Sequence, residues 1–178
     1  MLFPLIQALY ITVFVFSGIT KLLSYQSFRK TFLDLGFSSL LTRIGTILIP
    51  VVELCFGFMI LNDKVRIISE VGLLFLLLIF TWVTHKALNI KKDIYCNCFG
   101  GTLPDKFGLN TYLKIFILFL MDLYLIFGQH SLDLSNVPFP TKCEIILTSI
   151  GILLIYLLVI SLMNFKKNLL YHEKRGKS

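Results

Sequence analysis

Apolar and polar positions in this chain fall into long separate blocks rather than the dispersed pattern of a soluble core. A helix rises about 1.5 Å per residue and a bilayer's hydrocarbon core is about 30 Å thick, so roughly 20 apolar residues must follow one another to cross it. Five runs approach or meet that length: Leu2 to Leu23, Ile44 to Leu61, Ile67 to Thr84, Leu109 to Phe127 and Ile145 to Met163. Helices are the predicted form, because an open strand edge leaves backbone groups unpaired in lipid. The first run is read as a span and not as a cleaved signal, since it lacks a basic start and no small-x-small pattern precedes a soluble domain. Between the first two runs, Phe28, Phe32 and Leu35 recur at spacings of four and three, with Arg29, Lys30 and Asp34 on the other side. That spacing predicts a short amphipathic helix lying in the membrane interface and stopping near Gly36.

Composition sharpens the fold class to an all-α integral membrane protein. Hydrophobic residues make up 56% of the chain and charged ones 15%, against about a quarter charged in soluble domains. Neither a repeat nor a Pro/Gly-rich linker divides it. Lys and Arg are unevenly placed. Lys21, Arg29, Lys30 and Arg43 follow the first run; Lys86, Lys91, Lys92, Lys106 and Lys114 flank the loop after the third; Lys166, Lys167, Lys174, Arg175 and Lys177 fill the tail. Only Lys64, Arg66 and Lys142 lie on the other side, a ratio of 14 to 3. The positive-inside rule then puts the amino terminus outside and the tail in the cytoplasm, and a cell membrane of the bacterial inner-membrane type is the expected location. The net charge of +7 reads as a topology signal with attraction for anionic lipid. Nucleic acid is excluded as a partner, since no basic patch lies in a soluble domain.

Candidate chemistry concentrates in the loop after the third run, Tyr95-Cys96-Asn97-Cys98-Phe99-Gly100-Gly101. Thiols one residue apart close only a small, strained ring, and strained disulfides are the labile, redox-active kind. Gly100 and Gly101 permit a tight turn, and Lys91 and Lys92 favour thiolate. Other readings stand beside this one: half of a zinc site, for which no second Cys or His pair sits at metal spacing; ordinary interfacial thiols; or juxtamembrane acylation sites.

Three segments occur in order: Phe16-Ser17-Gly18-Ile19-Thr20-Lys21-Leu22, then Pro50-x-x-Glu53-Leu54-x-x-Gly57, then Cys96-x-Cys98-Phe99-Gly100. Together they resemble the MauE branch of the DoxX-like membrane proteins over about residues 5 to 128. The resemblance implies a four-helix membrane domain over residues 1–128, thiol–disulfide chemistry at Cys96 and Cys98, and a thioredoxin-fold partner outside the membrane. The charge count instead puts Cys96 and Cys98 on the inner face. Residues 129–178 lie beyond the resemblance and read as an extracytoplasmic loop, a fifth span and a basic cytoplasmic tail.

Ionisable groups inside the runs are the remaining candidates, because a charge in hydrocarbon is expensive unless neutral, paired or wet. Glu53 and Asp122 are placed near the midplane, either as interhelical clamps or as proton carriers. Ser17 and Lys21 share a helix face at i and i+4, with Lys21 about 10 Å from Glu53 in depth. Glu70 and His85 sit nearer the interfaces, where snorkelling accounts for them; Trp82 and Tyr112 fit an aromatic belt. Cys55 reads as a small buried hydrophobe, whereas Cys143 is a candidate relay thiol on the outer side. Connecting the two faces by electrons requires a rearrangement or a quinone. Two functions follow: a thiol–disulfide oxidoreductase or electron conduit, or a non-catalytic scaffold subunit of a maturation, export or transport complex.

The charge asymmetry generates the first prediction. With single cysteines at Ser131 and Gly176 in a Cys-free background, an impermeant maleimide added to intact cells labels Ser131→Cys and spares Gly176→Cys. The opposite pattern inverts the topology.

Overall fold

The computed structural model describes residues 2–62, 64–90, 95–96, 105–106, 109–128 and 138–175. Among them are six helices and one short strand pair: α1 (Leu2–Leu23), α2 (Tyr25–Asp34), α3 (Ser39–Met59), α4 (Arg66–Asn89), β1 (Tyr95–Cys96), β2 (Asp105–Lys106), α5 (Leu109–Phe127) and α6 (Phe139–Arg175). The predicted edges of the first and fourth runs coincide with α1 and α5. Elsewhere helix outruns hydrophobicity. α3 starts five residues before Ile44, α4 continues five residues beyond Thr84, and α6 extends the fifth run at both ends. An apolar run measures the stretch that lipid can cover, while a helix continues as long as its backbone bonds are met.

Leu2–Leu23, Ser39–Met59, Arg66–Asn89 and Phe139–Met163 are long and apolar enough to cross a bilayer. The chain is a multi-pass helical membrane protein. Five hydroxyls within these helices are satisfied locally: Thr12, Ser69, Thr81, Thr84 and Ser149 each donate to the carbonyl four residues back, hiding a polar hydrogen from lipid. Pro50 interrupts the backbone ladder of α3 without ending the helix, as spanning helices tolerate when neighbours supply packing.

α1 is the central element, packed on α3, α5 and α6, while α4 lies against both α3 and α5. Tyr10 and Phe14 of α1, with ring centroids 4.8 Å apart, pack into a core with Ile60, Leu73, Leu77 and Leu125. α6 buries one stripe, Ile145, Ser149 and Leu153, and exposes most of its other described positions. The spacing of four turns that stripe to a single neighbour, where Ile145 meets Ala8.

α2 has the predicted amphipathic form, with Phe28, Thr31 and Phe32 buried and Arg29, Lys30 and Asp34 exposed. Gly36 ends it with φ of 74°, a left-handed turn open to glycine at no steric cost. The chain then folds back so that Leu35 and Phe37 dock against Val83, Ala87 and Ile90 at the end of α4. Rings of Phe28, Phe32, Phe37 and Trp82 follow one another at 5.2, 5.5 and 6.1 Å, tying α2 to α4 although its helical body rests on α3.

Close approach of α1 and α3 generates the second prediction. A Cβ on Gly18 would stand 2.8 Å from Leu54 Cγ and 3.1 Å from the Pro50 carbonyl oxygen, whereas one on Gly151 meets nothing within 4 Å. Gly18→Ala should therefore destabilise the detergent-solubilised protein by about 1–3 kcal/mol through overpacking. Gly151→Ala should be neutral or stabilising by up to about 1 kcal/mol, the ordinary helical gain over glycine. Thermal melts of the two variants check the opposite signs.

Candidate functional site

The first two sequence segments singled out above are the two sides of one helix contact. Ser17 and Lys21 share a face of α1; Pro50, Glu53, Leu54 and Gly57 recur at three- and four-residue steps along α3. Gly18 lies against Pro50 and Leu54, and Gly57 against Phe14 and Val15. With no side chain at either glycine, the helices approach closely enough for polar groups to meet. Lys21 Nζ donates to Glu53 Oε1 in a fully buried ion pair, and Ser17 Oγ donates to Glu53 Oε2 at 3.4 Å. The depth gap read from the sequence is absent. It vanishes because the helices are staggered: Gly18, five residues from the end of α1, sits opposite the middle of α3.

Aromatic rings complete the surroundings of the ammonium. Lys21 Nζ stands 4.5 Å from the Phe80 ring centroid and 5.7 Å from that of Phe28. Ring quadrupoles attract a cation most where water is excluded, so they replace part of the lost hydration. Removing one member of such a pair leaves an uncompensated charge, which is far worse than removing both.

The pair lines a cavity of about 320 Å³ bounded by α1, α2, α3, α4 and α5. Its walls are almost wholly apolar. Thr31 and Thr84 reach it, but their hydroxyls already donate to Ser27 and Phe80 carbonyls. Thr111 and Lys114 of α5 also line it. These α4 and α5 residues belong to the helix ends that lead into β1 and β2, where Tyr95 pairs with Lys106 and Cys96 with Asp105 in antiparallel register. The main chain of Cys96 thus belongs to the connection at the α4–α5 end of the fold. Cys98, Lys91, Lys92, Gly100 and Gly101 lie outside the described residues.

A second polar cluster was only half visible in the sequence. Glu70, assigned above to an interface, is instead fully buried, with Arg66 Nε 3.1 Å from its Oε1. Arg66 starts α4, and its guanidinium also lies 5.6 Å from the Phe3 ring centroid. Asp122 faces Tyr10 across the α1–α5 contact, with Glu70 within electrostatic range of both. Asp122 is fully buried but stands five residues from the end of α5, beside the start of α4, and not at mid-length. The i,i+4 spacing of Arg66 and Glu70 was the available signal; nothing marked Tyr10. Cys55 is exposed on the outside of α3, not buried, and Cys143 is exposed near the start of α6. Neither meets the Lys21–Glu53 pair. His85 bonds Tyr112 across α4 and α5 at 3.3 Å.

The ion pair generates the third prediction. Lys21→Met and Glu53→Leu should each destabilise the protein by about 3–5 kcal/mol, while the double variant recovers most of the loss. Glu53→Gln, which keeps a hydrogen-bond acceptor for Lys21, should fall between Glu53→Leu and the native chain. Thermal melts and membrane abundance read the cycle. Additive single losses would show that the two side chains do not act as a pair.

A comparison with curated proteins and one with solved structures each found no match. The family model described as methylamine utilisation protein MauE matches residues 1–128, which takes in α1 to α5, the ion pair, the cavity and the Cys-x-Cys segment, and leaves α6 beyond it. The chain belongs to the MauE family of membrane proteins.

Proposed function

We propose that this protein is a membrane thiol–disulfide redox protein that serves a thioredoxin-fold partner through Cys96 and Cys98. All five long helices cross the bilayer in this reading, with the amino terminus outside and the tail in the cytoplasm. The observation that carries it is positional. The buried Lys21–Glu53 pair and its cavity are walled by the ends of α4 and α5 that lead into the Cys96-x-Cys98 segment.

Exchange needs only the two thiols and the partner's pair. A thiolate of one pair attacks the disulfide of the other, a mixed disulfide forms, and the second thiol releases it. Two electrons and two protons pass in the net step, so one pair ends as disulfide and the other as dithiol. Direction follows the two reduction potentials. Pairing of Cys96 with Asp105 draws together the ends of the segment that carries Cys98. Glu53 serves this site as a clamp, since its carboxylate is already committed to Lys21 and Ser17.

The fourth prediction tests the thiols. Lys91 and Lys92 precede Cys96 in the chain, which favours it as the attacking thiolate. Cys98→Ser should then accumulate a reductant-sensitive covalent adduct, and Cys96→Ser little. The double variant should insert normally and lose function. Acid-quenched alkylation and mass spectrometry on native membranes read both the disulfide and the adduct. Thiols that stay reduced, form no adduct in any variant and are dispensable would replace this reading with the scaffold one.

A further inference from the structure

The cavity beside the ion pair has the properties of a ligand site, and its chemistry narrows the ligand. Its volume of about 320 Å³ lies within the range of roughly 300–1,000 Å³ typical of small-molecule sites. Access is lateral. Leu41, Ile44 and Leu48 on α3, with Ile79 and Trp82 on α4, line the cavity and are also exposed on the outside of the fold. Those residues lie on helices apolar and long enough to span the membrane, so the exposed part of the lining faces the bilayer. A ligand reaching it is dissolved in the bilayer.

The polar end sets the head group. An ammonium has three donors, and among the described residues Glu53 is the oxygen acceptor of Lys21. Two rings, Phe80 and Phe28, stand around the rest of it. A spare buried donor calls for an oxygen acceptor on the ligand. Glu53 already neutralises Lys21, and Lys114, the other cation on the lining, has an interaction of its own, so an anionic head would add an unbalanced charge beside the pair, which is unfavourable. A neutral carbonyl satisfies the donor without that penalty. Aromatic side chains on three walls, Phe14, Phe28, Phe32, Phe37, Phe80 and Trp82, favour a flat ring, which stacks or meets them edge-on.

We infer that this cavity binds the head of a neutral, bilayer-dissolved molecule with a flat carbonyl-bearing ring, of the quinone class. It enters between α3 and α4, and its carbonyl accepts from Lys21 Nζ. The binding step does not rest on the thiol reading, because it involves no electron transfer and persists when Cys96 and Cys98 are serines.

Trp82 is the only tryptophan in the chain and lines the cavity, so its fluorescence reports occupancy. Decylubiquinone titrated into the full-length protein in nanodiscs should quench Trp82 saturably, equally well in the Cys96→Ser/Cys98→Ser protein. Decanol, which shares the chain length without the ring, should not displace it. The Lys21→Met/Glu53→Leu variant, which keeps the apolar volume and removes the donor, should raise Kd about tenfold, the value of one hydrogen bond to a charged donor. Gly151→Ala should leave Kd unchanged. Should the double variant fold poorly, cross-linking of an azido-quinone to the native protein provides a second test, with adducts expected on α3 and α4 at the cavity. Non-saturable quenching, equal displacement by decanol or phospholipid, or adducts spread over the lipid-facing surface of α6 would each overturn the assignment. Quinone binding that fails while the Cys98→Ser adduct forms rejects this inference and leaves the thiol reading intact.

Discussion

Hiding the charge of Lys21 inside a membrane protein sets the terms for much of the rest. An ammonium in hydrocarbon is tolerated when a counter-charge meets it and water is shut out. Glu53 is that counter-charge, and it sits on a different helix. The contact therefore demands that α1 and α3 lie close, which the bare backbones of Gly18 and Gly57 permit. It also demands cover from the third direction, which Phe80 of α4 and Phe28 of α2 provide. Four helices are thus engaged by one buried pair.

The same pair explains why the middle of the fold is not filled. Aromatic side chains from α2 and α4 stand around the ammonium, and the space beside the pair is the cavity. α2 contributes by folding back beneath the end of α1, so that Phe28 and Phe32 take a place that water or lipid head groups would otherwise occupy. On the other side of the core formed by Phe14, Leu73 and Leu77, the Arg66–Glu70 pair and Asp122 form a separate polar cluster around Tyr10. α1 carries a member of each cluster, which accords with its being the most enclosed of the spans. α6 offers a contrast. It has no part in either pair and buries one stripe against α1.

Legibility differed by element for a physical reason. The bounds of α1 and α5 followed from hydrophobicity alone, and α2 from the spacing of Phe28, Phe32 and Leu35. Burial was a different matter. In a soluble helix the apolar face is the inner one, but lipid is as apolar as a core, so periodicity no longer separates inside from outside. Hence Cys55, taken as buried, faces outward, while Glu70, taken as snorkelling, is buried. Arg66 and Glu70 were legible as an i,i+4 pair but not as a buried one.

By itself the sequence determined a set of apolar helices, an amphipathic connector, and a short list of polar residues that lipid would not accept alone. Those features depend on transfer free energies and local spacing, which are properties of each segment. Only the tertiary structure decided that Lys21 and Ser17 meet Glu53, that Tyr10 and Asp122 come within electrostatic range of each other, and that a cavity forms among α1, α2, α3, α4 and α5. Each depends on the stagger and rotation of one helix against another. Those are set by where small residues let backbones approach, as Gly18 does at Pro50 and Leu54, and no single segment encodes them.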